Sequence, residues 1–583
     1  MKKNVIPRFV SSHLRGRVIT THQSISEDAT EQPPKPRLRV GVLVDELTQP
    51  RWKYEILLGI LKSEYADIVV LACEQSGALI PDPLSQLWRN RRELFYSLYR
   101  KVDDLLFRAT PDAFEAKDLN QLELDCPIIE MDTRQAGAAK YFAAKDIDRL
   151  VDSKLDVLLQ LSSSGLQGDI LQVARHGVWS YHFGESPSSR TELACFWEVM
   201  TGSLMTRSVL QQIKEKPEDS HILYRSYAST DKKSVRRNCN NVFWKSSEFV
   251  ARCLRDLHAS GKVPSVSNSG GCRPDSDRSP EVPTNSVMVR MTSRIAAKYL
   301  REKCCDLQSQ GHWTLFYQIE KANSAELAPQ LDRFERLVSP KDRFWADPFV
   351  WYRDGKHYIF FEELIYQTNK GHISVLVIDS DGKVSPSQPV LVTDYHLSYP
   401  FLFEWEGELY MIPETRSNKT IEIHKCLEFP HKWELHETVF DNVEAVDATL
   451  YDDGRRWWMF VGMAVSGASS WDELHLYYAD SPFGPWIPHP RNPVKSDVRS
   501  ARPAGNLFRW NGQLIRPAQD CGPLYGYAIS FNKILQLDPE TYEEESIGRI
   551  LPSWDESLLG THTINRAKGL TVVDGFLRRS KWR

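Results

Sequence analysis

Charged and polar side chains recur at equivalent positions of an internal repeat in the second half of the chain. Each copy reads as a strand, a two-residue turn and a strand, and the copies follow one another at intervals of about 50–60 residues, a period typical of β-propeller blades. The residues that open the five copies are Asp347, Tyr399, Asp447, the segment from Arg502 to Asn506, and His562 in a weaker fifth copy. The repeat therefore predicts a five-bladed β-propeller.

In such a propeller the opening residues of all blades lie near one central axis. We expect them to converge on one pocket, together with the polar residues that end the second strands, namely Glu362, Glu414 and Gln519. Any one of these residues could simply terminate a strand. A whole set of buried charged groups, however, is costly unless it serves a ligand. The set predicts a ligand site on the axis.

Three motifs of this region resemble the five-bladed propellers of glycoside hydrolase family 43. They are Phe344-Trp345-Ala346-Asp347-Pro348, then Asp447 with Asp452-Asp453-Gly454-Arg455, and Ser481-Pro482-Phe483-Gly484-Pro485-Trp486. More closely, residues 312–583 as a whole are similar to the propeller domain found at the N-terminus of plant glucosamine inositolphosphorylceramide transferases and in bacterial relatives. The resemblance implies a carbohydrate ligand.

The glycosidase resemblance also implies roles for individual residues. Inverting glycosidases use one carboxylate as a base and one carboxylic acid to protonate the leaving group. By resemblance Asp347 takes the position of the base, and Asp447 that of the aspartate which tunes the acid. The glutamate that serves as acid at the start of the fourth blade is missing, because Pro503 and Ala504 stand there. Arg502 would instead bring a positive charge suited to a carboxylate or phosphate, and Glu362 or Glu414 could supply an acid.

The first half alternates apolar runs with helical patterns, which predicts an α/β domain of Rossmann type. Residues 155–222 resemble the N-terminal catalytic domain of formyltransferases through Gly177-Val178-Trp179-Ser180-Tyr181-His182-Phe183-Gly184 and the later Lys216-Pro217-Glu218-Asp219. The resemblance implies catalytic roles for His182 and Asp219, and N10-formyltetrahydrofolate as a possible cofactor. Ser180 replaces the family's oxyanion-binding asparagine, and the loop 184–189 replaces its folate loop. A retained fold with lost or altered chemistry is the alternative.

Composition excludes several classes of protein. The 583 residues carry a net charge of −4, so no global basic field favours nucleic acid. No apolar run is long enough for a transmembrane helix. Ten cysteines without a CxxC pair predict reduced thiols, no metal site and a cytoplasmic location. We expect a flexible tail (1–37), a formyltransferase-like α/β domain (38–260), a linker with a helix (261–311) and the propeller (312–583).

These features predict a carbohydrate-active enzyme of glycan biosynthesis or modification. We expect a group transferase that moves a formyl or glycosyl group to or from a sugar, sugar nucleotide or glycan. A donor with a good leaving group needs little protonation, which suits the missing acid. Two alternatives stay open: a furanosidase-like glycoside hydrolase with an unconventional acid, and a non-catalytic glycan-binding protein. The sequence does not indicate an oligomeric state.

Overall fold

The computed structural model describes residues 35–75, 91–136, 139–163, 165–184, 193–216, 219–266, 282–319, 327–329, 331–464 and 467–581. The chain divides into two compact units. The first contains Asp28–Cys305 with Val465–Ser469, and the second contains Asp306–Ala464 with Ser470–Arg583. Because each unit has its own core, each is described by itself.

The first unit is built on a nine-stranded mixed sheet. The strands of this unit are β1 (Leu38–Val44), β2 (Thr48–Pro50), β3 (Ala66–Gln75), β4 (Ala116–Asp118), β5 (Ile128–Ala136), β6 (Ala139–Phe142), β7 (Val157–Gln160), β8 (Gly165–Leu166), β9 (Val178–Phe183), β10 (Met205–Ile213) and β11 (His221–Ser229). The sheet has the order β11-β10-β9-β7-β1-β3-β5-β6-β8, while β2 and β4 form a separate ribbon. The helices are α1 (Arg51–Leu61), α2 (Leu94–Leu106), α3 (Ala144–Asp152), α4 (Phe196–Thr201), α5 (Val235–Ser246), α6 (Phe249–Ser260) and α7 (Asn285–Gln308).

The centre of this sheet is parallel and its margins are mixed. Strands β5, β3, β1, β7 and β9 are parallel neighbours, whereas β10 and β11 add antiparallel strands at one margin. Val40, Val42 and Leu43 of β1 are fully buried, as expected for a strand that is covered on both faces. The unit thus contains both strands and helices, as predicted, and its strands form a mixed sheet. The finer assignment to the Rossmann type stays a prediction.

The second unit is a five-bladed β-propeller, as the repeat predicted. Its blades are five antiparallel sheets of four or five strands. The first blade contains β14 (Arg343–Arg353), β15 (Lys356–Ile365), β16 (Lys370–Ile378) and β17 (Gln388–Leu391), and the second contains β18 (Ser398–Trp405), β19 (Glu408–Thr415), β20 (Thr420–Glu428) and β21 (Lys432–Asp441). The third contains β22 (Ala445–Asp452), β23 (Trp457–Met463), β24 (Glu473–Ala479), β25 (Ile487–Pro488) and β26 (Lys495–Ser496). The fourth contains β27 (Phe508–Trp510), β28 (Gln513–Asp520), β29 (Ala528–Leu537) and β30 (Tyr542–Ile550).

The fifth blade joins both ends of the unit. It combines β12 (Ser309–Ile319) and β13 (Glu335–Leu337) with β31 (Leu558–Gly560), β32 (Ile564–Ala567) and β33 (Leu570–Ser580). The register of β12 on β33 is continuous from Ser309 opposite Ser580 to Ile319 opposite Leu570. The first strand of the unit therefore completes the last blade, and the backbone hydrogen bonds of this pair close the ring.

The predicted two-residue turns are present in four of the five blades. Asp354-Gly355, for example, has φ values of 51° and 76°, and Arg353 and Lys356 on either side of it are paired. Two positive φ values are the signature of a type I′ turn, which matches the twist of the strands. The third blade differs from the prediction, because Asp452 pairs with Trp457 and leaves a four-residue loop. In that loop the Asp453 carboxylate accepts hydrogen bonds from the backbone N–H groups of Arg455 and Arg456.

Candidate functional site

Three inner strands carry the same backbone irregularity at the residue that opens the blade. Asp347, Tyr399 and Asp447 have φ values of 51°, 45° and 54°, and a shift of strand register follows each of them along β14, β18 and β22. A non-glycine residue in this left-handed region costs about 1–3 kcal/mol, and such strain concentrates at functional sites. A β-bulge re-aims the side chain that it carries. All three side chains are buried.

Asp347 belongs to a chain of acidic and basic groups that runs into the fifth blade. The Oδ1 atom of Asp347 lies 3.3 Å from Nε2 of His562, and Nδ1 of His562 lies 2.7 Å from Oδ2 of Asp574. The Thr563 hydroxyl donates to Asp347 Oδ1 at 2.8 Å. Asp574 also accepts the backbone N–H groups of Asp347, His562 and Thr563. The imidazole is thus held between two carboxylates.

The protonation states in this chain are shifted towards neutral pH. Burial raises the pKa of Asp347 to about 6, although the charge of His562 opposes the shift. Burial acts against charge on His562, but the carboxylates of Asp574 and Asp347 outweigh it and raise the pKa of that imidazole. A carboxyl group with such a pKa can accept and release a proton near neutral pH.

Asp447, at the equivalent bulge of the third blade, is held by a permanent cation. Arg502 donates from Nε to Asp447 Oδ2 at 2.5 Å and from Nη2 to Asp447 Oδ1 at 3.1 Å. The Nη2 atom also donates to Glu414 at 3.1 Å, and Gln519 donates to Asp447 at 2.8 Å. These bonds already engage Nε and Nη2 of Arg502. The structure therefore gives Arg502 two carboxylate partners within the protein, which the sequence did not foresee.

Glu362 is the best placed acid of the site. Burial and the neighbouring charges of Asp347 and Glu414 raise the pKa of Glu362 well above its usual range. The Nε2 atom of His396 lies 3.3 Å from Glu362 Oε1. The Nδ1 atom of His396 accepts the backbone N–H of Gly371 at 3.0 Å, so the proton of the neutral ring is on Nε2 and faces Glu362. Burial raises the pKa of Glu414 as well, against the opposing charge of Arg502.

Tyr399 braces the site. Its hydroxyl accepts the backbone N–H of Gly505 at 2.7 Å and lies 2.9 Å from the Thr449 hydroxyl. The ring is fully buried and packs edge-on against Phe349. Because both sides of the hydroxyl are engaged, the contacts favour a supporting role for Tyr399. Its substrate-binding role stays a prediction.

An aromatic group lies beside His562. Trp313 stacks on the His562 ring with centroids 4.0 Å apart, and Tyr525 lies 5.4 Å from the same ring. Trp471 lies 5.4 Å from Tyr525, and the Arg502 guanidinium lies 5.0 Å from the Tyr525 centroid. Trp471 and Tyr525 are partly exposed. Aromatic faces next to hydrogen-bonding groups suit the apolar face and the hydroxyls of a sugar.

The structure thus brings together most of the residues that the sequence proposed for the axis. Asp347, Glu362, Glu414, Asp447, Arg502, Gln519 and His562 share one network of contacts and charges. Asn506 is placed differently, since it lines a cavity with Phe403 and Asp452, which lie towards the other end of the inner strands.

Sequence analysis missed four contributors to the site, namely Asp574, His396, Trp313 and Tyr525. A signal for one of them exists. Glu362, Glu414 and Gln519 follow the turn glycines 355, 407 and 512 by seven residues, and Asp574 follows Gly569 by five, which by strand alternation is the same face. The other three lie on strands or loops that the repeat does not mark.

The sequence predicted no metal site, whereas the structure brings together one group with the right donor types. The nearest donor atoms of Asp347, His562 and Asp574 lie within 4.8 Å of one another. The pKa of His562 is raised by the two carboxylates, and a protonated imidazole has no lone pair for a metal. The raised pKa of His562 favours its protonated form, so this group would have to lose a proton before it could bind a metal.

The catalytic pair proposed for the first unit is not assembled in the structure. His182 lies on β9 opposite Val209 of β10, with Ser180 on the same face of its strand. Asp219 is exposed in the connection between β10 and β11, beyond the pair of Gln212 with His221. Gln212 in turn faces Trp179.

Three residues along β9 therefore separate His182 from the nearest point of that connection, roughly 10 Å at the rise of a strand. The folate loop predicted at 184–189 lies, except for Gly184, outside the described residues. The residues in place do not fit a formyltetrahydrofolate site that needs His182 beside Asp219, because the hairpin of β10 and β11 carries the carboxylate away from the histidine.

The comparisons with known proteins concern the propeller. Residues 336–565 match the family model described as glucosamine inositolphosphorylceramide transferase 1, N-terminal. Proteins named glucosamine inositolphosphorylceramide transferase 1 are 34% identical over 205 residues in Oryza sativa subsp. japonica and 34% identical over 208 residues in Arabidopsis thaliana. The matches cover 34% and 35% of this chain and 27% of each relative. The chain thus spans about a quarter of the length of these relatives.

Solved structures that are similar to this chain at low sequence identity include a β-xylosidase and an arabinanase. A β-xylosidase, RS223, has a TM-score of 0.29 and 12% identity, and covers 40% of this chain and 94% of its own. An exo-1,5-α-L-arabinanase from a bovine ruminal metagenomic library has a TM-score of 0.29 and 17% identity, and covers 41% and 94%.

No helix in the described part of the chain has the length and apolar composition needed to cross a bilayer. The cytoplasmic location stays a prediction. The family match spans the axial site from Asp347 to His562. Residues 336–565 of this protein are therefore similar to the N-terminal region of the glucosamine inositolphosphorylceramide transferases.

Proposed function

We propose that this protein is a carbohydrate-active group transferase, and that a sugar or sugar nucleotide binds at the propeller axis. The observation that carries the proposal is the pairing of two protonatable carboxyl groups, Asp347 and Glu362, beside a partly exposed aromatic group. The relatives support it, since they are named glucosamine inositolphosphorylceramide transferase 1. Because the chain spans only 27% of those relatives, their activity is not carried over as established.

The charges suggest how the site would work. Asp347, with its pKa raised to about 6, would accept the proton of an acceptor hydroxyl as the new glycosidic bond forms. His562, charged through its two carboxylate neighbours, would stabilise the developing negative charge nearby. Glu362, whose pKa burial raises well above its usual range, would donate a proton to the leaving group. Asp447 is neutralised by Arg502 and would position rather than react.

Hydrolysis is the second candidate, and one observation favours it. A carboxyl group with a pKa of about 6 beside a second buried carboxyl group of raised pKa is also the equipment of an inverting glycosidase, with water as acceptor. The two functions differ in the fate of the sugar. A transferase delivers it to a second hydroxyl or amine, whereas a hydrolase releases it free.

The test is a mass-spectrometric turnover screen of the full chain. We would incubate it with a panel of nucleotide-linked sugars, with and without hydroxyl-bearing and amine-bearing acceptors, and in parallel with N10-formyltetrahydrofolate and amino-sugar nucleotides. We expect an acceptor product larger by one sugar. Asp347→Asn and Glu362→Gln should each lower the rate by about 10²-fold or more, the usual contribution of a general acid or base.

Glu437→Gln is the matched control, because Glu437 is exposed on the edge strand β21 of the same propeller. Release of free sugar alone would assign hydrolysis. A formylated product that requires His182 would move the chemistry to the first unit. If no sugar nucleotide is consumed and wild type and Asp347→Asn bind glycans equally, the proposal is wrong.

A further inference from the structure

A polar crevice lies at the carboxyl end of the parallel strands in the first unit. Strand β1 lies between β3 and β7, so the order of the chain along the sheet reverses at this strand. In open sheets of parallel strands and helices, ligands bind outside the carboxyl ends of the strands at such a reversal. Asp45 follows β1, Glu74 lies near the end of β3, and Ser163 follows β7. These three residues bound a place that we call the β1 crevice.

Lys53 brings a buried amine to this end of the sheet, since it lies in the first turn of α1, which follows β1 and β2. It belongs to the buried stripe that continues with Ile56, Leu57 and Ile60, and it is only 8% exposed. Its side-chain nitrogen lies 5.9 Å from the Trp52 ring centroid, and within the described part of the chain it forms neither a hydrogen bond nor an ion pair. Lysines are almost never buried to this extent unless they are paired.

The carboxylates of the β1 crevice are bonded to groups other than Lys53. Both oxygens of Asp45 accept the backbone N–H of Ser163, at 3.1 and 3.2 Å, and Oδ2 also accepts the Ser163 hydroxyl at 2.9 Å. Glu74 pairs with Lys140 through Oε2. The other oxygen of Glu74, Oε1, is buried and has no hydrogen-bond partner among the described residues. A buried acceptor without a donor is costly, so a reaction that brings a proton to Oε1 is favoured here.

Burial lowers the pKa of the Lys53 amine. Three neighbouring carboxylates, those of Asp45, Glu46 and Glu74, oppose this shift without cancelling it. A larger share of the amine is therefore neutral near neutral pH, and only the neutral amine has the lone pair of a nucleophile. Buried lysines with a lowered pKa are the ones that form Schiff bases with carbonyl compounds. Glu46 and Ser163 are exposed, so the rim of the crevice faces solvent.

We propose that Lys53 is a nucleophile that forms an imine with an uncharged aldehyde or ketone in the β1 crevice. The nitrogen lone pair forms the new bond to the carbonyl carbon, and the electron pair of the C=O π bond moves to the oxygen. Glu74 Oε1 carries the two amine protons in turn to that oxygen, which leaves as water while the C=N bond forms. The step needs no oxidant or reductant. The carboxylates around the crevice select against an anionic carbonyl compound. The site does not depend on the function proposed for the propeller.

Reductive trapping on the full chain tests this site. The probes are glycolaldehyde, which is uncharged, and glyoxylate, an anion of similar size. Each is used at neutral pH with enough sodium cyanoborohydride that the labelling rate no longer depends on the reductant, so that imine formation limits the rate. Peptide mass spectrometry follows each lysine, and the reference is Lys62, which is exposed at the end of the same helix. With glycolaldehyde we expect Lys53 to react about tenfold faster than Lys62, and with glyoxylate this ratio should fall about fivefold.

Variants separate the nucleophile from the group that carries its protons. Lys53→Met keeps the apolar stem, and the fast phase of labelling in the intact mass should disappear. Glu74→Gln should slow the labelling of Lys53 about tenfold. Asp67→Asn is the matched control, because Asp67 is exposed at the other end of β3 and its loss should leave the rate unchanged. Thermal unfolding confirms that each variant is folded.

Two outcomes would overturn the proposal in a folded protein. One is a Lys53 amine that reacts no faster than Lys62, and the other is an equal ratio of the two rates for glycolaldehyde and glyoxylate. Equal rates in Glu74→Gln and Asp67→Asn would overturn the role of Glu74 in proton transfer.

Discussion

Asp347 and Asp447 occupy equivalent positions in two blades, but the charged groups around them differ. Both open an inner strand, both have φ values just above 50°, and both are buried. Asp347 faces His562, a base that can itself lose its proton. Asp447 faces Arg502, whose charge is permanent at any relevant pH. The repeat thus delivers two equivalent carboxyl groups, and the neighbouring blades decide what each can do.

Asp347 and Asp447 share the backbone bulge that positions their carboxyl groups, but they differ in the charged side chain that each one faces. A bulge that exposes a carboxyl group to the axis is a property of the repeat, because it depends on backbone register. The charged partner of each carboxyl group comes from the following or preceding blade, His562 for Asp347 and Arg502 for Asp447. A site in which one carboxyl group faces a titratable histidine and the other faces a permanent cation can change charge at the first while the second ion pair stays in place. Each half of this statement can be tested separately.

We expect the largest effect on stability from removing Arg502, the cation that pairs with Asp447 and Glu414. Arg502→Met leaves the carboxylates of Asp447 and Glu414 buried without their cation, and the side chain of Arg502 is only 7% exposed. Removing one partner from a buried ion pair costs about 3–5 kcal/mol. We expect a loss of that size in the free energy of unfolding, measured by urea titration at pH 7.

A matched control is Arg509→Met. Arg509 is exposed in the same blade and donates to the Tyr451 hydroxyl, so its loss should cost less than about 0.5 kcal/mol. A double variant that also replaces Asp447 with Asn should recover part of the loss caused by Arg502→Met. If Arg502→Met is no more destabilising than Arg509→Met, the fixed half of the comparison is wrong.

The raised pKa values of Asp347 and His562 predict that the free energy of unfolding depends on pH. The pKa of Asp347 is about 6 in the folded protein and near 3.8 when unfolded, so the folded state holds an extra proton between these values. Its favourable contribution is complete below pH 4 and is lost as pH rises through 6, by about 3 kcal/mol for two pKa units. The raised pKa of His562 acts with the same sign.

Urea titrations of wild type and Asp347→Asn at a series of pH values measure this difference. Asparagine cannot ionise and tolerates the left-handed backbone of this position, so its stability should fall less steeply between pH 4 and 7. Asp447→Asn, by contrast, should be destabilised at every pH, because Arg502 then keeps only Glu414. Parallel curves for wild type and Asp347→Asn would show that Asp347 does not titrate in this range.

Much of the axial site could be predicted from the sequence, because a repeat fixes both spacing and strand face. The turn glycines placed Asp347, Glu362 and Glu414 on the correct strands, and two-residue turns followed from Asp-Gly and Glu-Gly pairs. Pairing across blades could not be predicted in this way. The hydrogen bond from Arg502 to Asp447 joins two residues that are 55 positions apart in the sequence, and no local pattern encodes such a contact.

In the first unit, the order of residues in a sequence motif did not predict their arrangement in space. The strand with Ser180 and His182 and the later Asp219 follow one another in the order that the formyltransferase resemblance requires. In the structure Asp219 is exposed in the connection between β10 and β11, and three residues along β9 separate His182 from the nearest pair of that hairpin. Sequence order alone does not determine which end of a sheet a loop occupies.

The smallest effect concerns the backbone that holds Glu362 beside Asp347. A Cβ atom on Gly371 would lie 2.6 Å from the Leu397 carbonyl oxygen, 2.8 Å from Glu362 Oε1 and 2.8 Å from Cε1 of His396. Because the first contact is with backbone, Gly371→Ala must displace the strand or both side chains. We expect a stability loss of about 1–2 kcal/mol, as for other overpacked sites.

Activity should respond to the same change in a way that stability does not explain. Moving His396 away from Glu362 removes the Nε2–H group from its carboxyl, so the alkaline limb of the pH–rate profile, which the general acid sets, should shift in Gly371→Ala. Gly59→Ala is the control, because Gly59 lies on helix α1 and a Cβ there meets nothing within 4 Å. An unchanged pH–rate profile in a folded Gly371→Ala protein would show that Glu362 acts without His396.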